Sequence, residues 1–315
     1  MLTRRHIRVK VMQSIYALVQ SKDGSLPKQE KFLKVSIDNT YTLYLLWLSL
    51  FIELHKRGEE RAKLGHKNYL ETSKQQQLLA QRFVQNRFLL QLRNNQPLQE
   101  ALDGKNIRNW YLNEEYVKLI LKEITQSDTY TTYLTRKDTN YKTDLDFVLT
   151  LFKDIMAPND KIYDYFEDDT LTWVDDLPIV NTFLLKYLKK AKAGQDADFF
   201  LPVLLKDKED MVFANQLLTK TLLKNEMLEK EIQGKTPNWD KDRIADIDAI
   251  LLKMAICELL HFPSIPERVT INEYLEIAKE YSTPKSSIFI NGILDKLTKE
   301  YKATGKLTKT GRGLL

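Results

Sequence analysis

Arg4, Arg5, Arg8 and Lys10 stand within the first ten residues of the chain, and no acid occurs among residues 1 to 20. Read as a helix, this segment turns Ile7, Val11, Ile15 and Leu18 inward, with Met12 and Val19 at the margin. Arg5, Gln13 and Tyr16 then share one outer flank and Lys10 and His6 the other, while Arg4 and Arg8 prolong the apolar row past its last hydrophobic turn. Cations at a helix start add to the partial positive charge of its free N–H groups, which makes a local site for phosphate oxygens. Tyr16 offers an aromatic face on which an unpaired base can stack, and Gln13 an amide for a base edge. That is the chemistry of single-stranded RNA recognition. Charge alone fits it and an ordinary exposed basic helix equally well.

Enzyme chemistry finds no comparable constellation. The four histidines, His6, His55, His66 and His261, lack metal-ligand spacing, and Cys257 is the single cysteine, so neither a thiolate metal site nor an internal disulfide is expected. Gly234-Lys235-Thr236 resembles the end of a phosphate loop. Its earlier glycine position holds Glu229, and Pro237 interrupts the helix that should follow. The carboxylates have the spacing of solvated helix faces, although long-range acid pairs are invisible at this level. The expectation is a binding protein with no cofactor and no catalysis.

The elements that must position the first helix are also helical. With 315 residues, 43% hydrophobic and 29% charged, and only 10 Gly and 9 Pro, the chain has enough apolar side chains for one large or two packed helical units. Net charge is +5, but its distribution is uneven. Both ends are basic, the last through Lys302, Lys306, Lys309 and Arg312, whereas residues 151 to 180 hold eight acids against Lys153 and Lys161. The apolar run from Tyr41 to Ile52 is too short for a membrane span, which needs about 20 residues. It predicts a buried helix, and the N-terminus does not resemble a signal peptide, so a cytoplasmic protein is expected.

Spacing predicts helices near 28 to 57, 69 to 93, 113 to 126, 143 to 156 and 178 to 193, with the Thr- and Tyr-rich tract from Asp128 read as helix and connection. Tyr44, Trp47, Phe51, Phe83 and Phe88 are expected in the core of this region. After Trp239, Ile244, Ile247, Leu251, Met254 and Ala255 form one buried stripe. Thr270 with Glu273 fits a capping box, and Thr283 with Pro284 a helix start. Gly292 inside the last helix implies a closely packed neighbour.

A resemblance joins the two ends of the chain. TRRHIRVKVMQSIYAL resembles the Arg-rich opening helix of the NusB family of transcription antitermination factors. NWDKDRIADIDAILLKMAICELL, IPERVTINEYLEIAKEYS and SSIFINGILDKL resemble, in order, its three closing helices, and the stretch from Asp210 to Ile232 its middle helix more loosely. Residues 21 to 206 have no counterpart. The resemblance implies an all-α, NusB-like bundle of two packed subdomains. These would be an N-terminal one over 1–206, enlarged by the 21–206 insert, and a C-terminal one over 207–301, with 302–315 a disordered basic tail.

The same resemblance implies binding of single-stranded boxA-like RNA, pairing with a small-subunit ribosomal protein that acts as NusE, work on the RNA polymerase elongation complex at ribosomal RNA operons, and no catalysis. Carried over, RNA contacts fall on Arg4, Arg5, Arg8, Gln13 and Tyr16, with Lys10 as an addition, and on Lys285, Ser286 and Phe289 of the last helix. Asn272, Glu273, Asn291 and Asp295 take structural roles. The alternative is a helical scaffold for protein contacts without RNA.

Overall fold

The structure, a computed structural model, describes residues 1–21, 25–67, 81–235 and 244–310. Trp239, Thr236-Pro237 and Arg312 lie outside the described residues, as does the start of the helix expected from residue 69. Among the described residues all regular structure is helical.

Two compact units divide the chain, one of residues 1–37 with 204–315 and one of residues 38–203. The observed division thus differs from a plain split near residue 206, because the first helix groups with the C-terminal elements. Helix α1 (Arg4–Ser21) lies in the first unit, and the division falls inside helix α2 (Leu26–Lys67), between Ile37 and Asp38.

The unit of residues 38–203 continues α2 and adds α3 (Arg87–Arg93), α4 (Gln96–Gly104), α5 (Asn109–Leu112), α6 (Glu114–Gln126), α7 (Asp128–Thr135), α8 (Tyr141–Leu151), α9 (Asp160–Asp169) and α10 (Trp173–Leu188). Its core is aromatic, with Tyr44, Trp47, Phe51, Phe83 and Phe88 all buried. Trp47 meets Phe152 and Phe166 edge-on, with ring centroids 4.9 and 5.0 Å away, an arrangement that suits the ring quadrupoles. A polar knot ties α3 to α7 and α8. Asn86 accepts from Leu89 N–H as the cap of α3 and donates to the Tyr133 hydroxyl and to Asp144 O. Tyr133 in turn donates to the Asp144 carboxylate at 3.0 Å, and Arg87 donates to it through its backbone N–H and its guanidinium. The Thr- and Tyr-rich tract is therefore α7 and the start of α8, and a π turn over Phe152–Met156 prolongs α8 to the expected end.

The other unit adds α11 (Lys208–Leu223), α12 (Asn225–Gln233), α13 (Asp246–His261), α14 (Glu267–Tyr281) and α15 (Ser286–Ala303) to α1. Helix α13 is central and packs against α1, α11, α12, α14 and α15. It is buried almost all round from Ile250 to Leu259 rather than along one stripe, as a helix surrounded by others must be.

Three expectations change here. α14 begins at Glu267, so Thr270 is no cap; it sits inside the helix, buried, and donates to Glu258 at 2.8 Å. α15 begins at Ser286 rather than at Pro284, because Thr283 and Pro284 form the preceding turn, where Ser286 N–H donates to Thr283 O. At Gly292 an added Cβ would meet nothing within 4 Å among the described residues, so close packing does not explain that glycine.

Of the expected disordered tail, residues 311–315 lie outside the described residues. Its described part, residues 304–310, turns back along the end of α15, and Thr310 N–H donates to Pro263 O at 2.9 Å.

Candidate nucleic-acid interface

Helix α1 runs antiparallel to α13. Arg8, near the start of α1, meets Glu258 near the end of α13, and at the opposite ends Gln20 donates to Asp246 at 2.9 Å. The row that continues Val11, Ile15 and Leu18 toward the N-terminus carries Arg8 inward, where it is only 2% exposed. Its Nε and Nη2 donate to the two Glu258 carboxylate oxygens at 2.8 and 2.7 Å. Glu258 also accepts from the Thr270 hydroxyl and, at 3.2 Å, from the Tyr274 hydroxyl. The Arg8 guanidinium lies over the Phe213 ring, 5.1 Å from its centroid. Burial opposes the charge on Arg8, but Glu258 outweighs it and leaves the guanidinium pKa raised. For Tyr274, burial and then the Glu258 charge both push the hydroxyl pKa far up, so it remains a donor.

Arg4 and Arg5 are more accessible, each with a side chain 40% exposed. Arg5 makes a two-pronged pair with Glu273, both hydrogen bonds 2.9 Å, and this pairing holds the Glu273 carboxyl below its ordinary range. Arg4 Nε donates to Asp210 at 3.1 Å, beside the Phe213 ring. His6 accepts from Thr3 N–H through Nδ1. Burial, then the charge of Arg5, lowers its pKa, so it is neutral near pH 7.

These residues border a cleft of about 590 Å³. Thr3, Arg4, Arg5 and His6 face the turn of Ser264, Ile265 and Pro266 with Val269 of α14, and Arg8 and Glu273 complete the lining. Each arginine has its own carboxylate: Asp210, Glu273 or Glu258. The expected cluster of bare cations is thus corrected to a matched set of ion pairs, with the side chains of Arg4 and Arg5 partly exposed.

The remaining expected residues divide by burial. Tyr16 and Lys285 are exposed, and Gln13 and Phe289 are half-buried. Lys10 and Ser286 are each 2% exposed, which removes both, like Arg8, from direct contact with a ligand. Ser286 donates to Asp248 at 2.7 Å, alongside Ser282 at 2.6 Å. Asp248 and Glu258 are ten positions apart on α13, a rise of about 15 Å at 1.5 Å per residue. The last-helix group therefore belongs to the opposite end of α13 from the arginine cleft, and the two do not form one compact site. Sequence reasoning missed the turn of residues 264–266 as a cleft wall, since Pro263 and Pro266 signal only a helix stop. It also missed Asp210 and Glu258 as partners, because no spacing encodes a pairing across 200 residues or more.

The NusB family model matches residues 182–299. This region of the chain is similar to the NusB family. The match begins within α10 and covers α11 to α14 and most of α15, so the NusB assignment rests on the C-terminal elements and does not reach α1. Three proteins named transcription antitermination protein NusB are similar to this chain. That of Salinibacter ruber is 45% identical over 103 residues, 33% of this chain and 64% of that protein. That of Chloroherpeton thalassium is 41% identical over 107 residues, 34% and 50%. That of Thermodesulfovibrio yellowstonii is 47% identical over 88 residues, 28% and 58%. The chain thus spans between half and two thirds of the length of these relatives. No solved structure matches. No helix among the described residues is long and apolar enough to cross a membrane, and no described group of His, Cys, Asp or Glu could hold a metal ion.

Proposed function

We propose that this protein is a non-catalytic transcription antitermination factor. It binds single-stranded boxA-like RNA together with a small-subunit ribosomal protein acting as NusE, and it serves the RNA polymerase elongation complex at ribosomal RNA operons. The observation that carries this reading is the NusB match over residues 182–299, whose named relatives are antitermination proteins. Its support in the site is the docking of α1 on the matched helices, with the Arg4 and Arg5 side chains partly exposed at one end and Tyr16 exposed further along. RNA phosphates meet Arg4, Arg5 and Lys285, bases meet Gln13, Tyr16 and Phe289, and Arg8, Lys10 and Ser286 support the surface from behind.

One observation favours the second reading, a protein scaffold without RNA: the three cleft arginines are each already matched by a carboxylate. Salt separates the two. With three phosphate contacts, log affinity for a single-stranded boxA-type RNA should fall against log salt with a slope of about −2, at −0.7 per contact. Arg5→Ala should flatten it by about 0.7. Binding that is absent, or independent of salt, leaves the scaffold.

A further inference from the structure

The segment after α15 reaches the back of the cleft wall. Gly305, at φ +68°, turns the chain out of the helix, and Leu307 N–H then donates to Tyr301 O at 3.2 Å. A left-handed glycine at this position is the common way for a helix to end and reverse. Lys306 reaches Glu231 at 3.5 Å, and Lys302 pairs with Glu267 at the start of α14. Beyond them, Lys309 Nζ donates to the carbonyl oxygens of Glu258 at 3.1 Å and Phe262 at 3.0 Å, and Thr310 N–H to Pro263 O. Each of these carbonyls already accepts one backbone N–H, Glu258 O from Phe262 and Phe262 O from Ile265, and the C-terminal end of a helix carries partial negative charge, so the ammonium adds a second donor to each.

These contacts bear on the site through chain continuity. Phe262 and Pro263 lead directly into Ser264, Ile265 and Pro266, the turn that faces Arg4 and Arg5 across the cleft. Glu258, whose carbonyl accepts from Lys309, holds Arg8 with its carboxylate. Lys309 is not itself among the residues bordering the cleft.

We propose that Lys309 is a positioning residue for the RNA cleft: with the backbone of Thr310 it straps the turn of residues 262–266 in place against the start of α1. This rests on the RNA-binding reading. A lysine in this role differs from a phosphate-binding lysine in a measurable way, because it sets affinity without adding an ion contact.

The test measures binding of a labelled single-stranded boxA-type RNA over a salt series for the full chain and for Lys309→Met and Lys309→Arg. Hydrogen exchange of the segment 262–269 is followed in parallel. Lys309→Met should weaken binding about five- to tenfold, the scale of one or two lost hydrogen bonds, with the salt slope unchanged. Exchange should quicken in 262–269 and not in α12, and Lys309→Arg should restore most of the affinity. A slope flattened by about 0.7 would make Lys309 a direct phosphate contact and overturn the proposal. Unchanged affinity and exchange would overturn it too. If the unaltered protein binds no RNA, the RNA reading fails by itself, and exchange alone decides the strap: local quickening upholds it as the support of that wall, and its absence removes it.

Discussion

The two units each bury a carboxylate among polar partners, and they do so differently. In the unit of residues 38–203, Asp144 is surrounded by the Tyr133 hydroxyl, the Arg87 backbone and an Arg87 side chain that remains half exposed. In the other, Glu258 faces a guanidinium as deeply buried as itself, plus two buried hydroxyls. The first arrangement joins helices and leaves its cation hydrated. The second holds a full positive charge inside the protein next to an open cleft, where the two-pronged pair with Glu258, and Glu273 at 3.9 Å, keep it tolerable. The Glu258 pair is therefore a weak source of net stability but a severe liability when broken, and it fixes the start of α1 relative to α13.

Glu258→Gln tests this contrast most strongly. It takes from buried Arg8 its hydrogen-bonded countercharge, leaving only Glu273 at 3.9 Å, and should cost about 3–5 kcal/mol in urea unfolding. Asp144→Asn should cost less, about 1–3 kcal/mol, because Arg87 can turn to water. Equal costs would erase the distinction between the two knots. A smaller effect of opposite sign is expected on α15. Gly292→Ala should stabilise the chain by about 1 kcal/mol in the same assay, since a methyl group there meets nothing and alanine suits a helix interior better. Destabilisation would show that an unseen neighbour occupies that space.

The smallest effect concerns pH at the cleft mouth. His6 has a folded pKa below its ordinary 6.5. The unfolded chain therefore binds a proton, as pH falls past about 6.5, that the folded chain refuses until its own lower pKa is reached. Stability should decline through that window, and His6→Gln should flatten the decline. The Glu273 carboxyl is also lowered, from 4.5, so its contribution with Arg5 is present above that pH and fades as pH falls further. An unaltered profile in His6→Gln would separate His6 from the titration.

Much of the fold was legible in spacing, and the reasons are local. The Ile7, Val11, Ile15 row and the aromatic positions Trp47 and Phe51 report periodicity and burial, both of which a linear pattern encodes. The wheel even placed Arg8 on the inward row. Charge type then suggested solvent, and the buried partner that reverses that conclusion lies 250 residues away. Thr270 shows the same limit: with Glu273 it has the pattern of a capping box, yet a buried acid on the neighbouring helix claims its hydroxyl.

The sequence by itself determined the helical class of the described residues and a basic first helix, because helix periodicity acts over a few residues, while the likeness of the closing helices to NusB came from matched segments. Only the tertiary structure decided which cations are accessible, that the cleft lies between α1 and the turn of residues 264–266, that the Ser286 group sits at the other end of α13, and that Lys309 turns back on Glu258 and Phe262. Burial and ion pairing are set by which distant segments meet, and each such meeting changes the electrostatic cost of a charge by more than any local preference does.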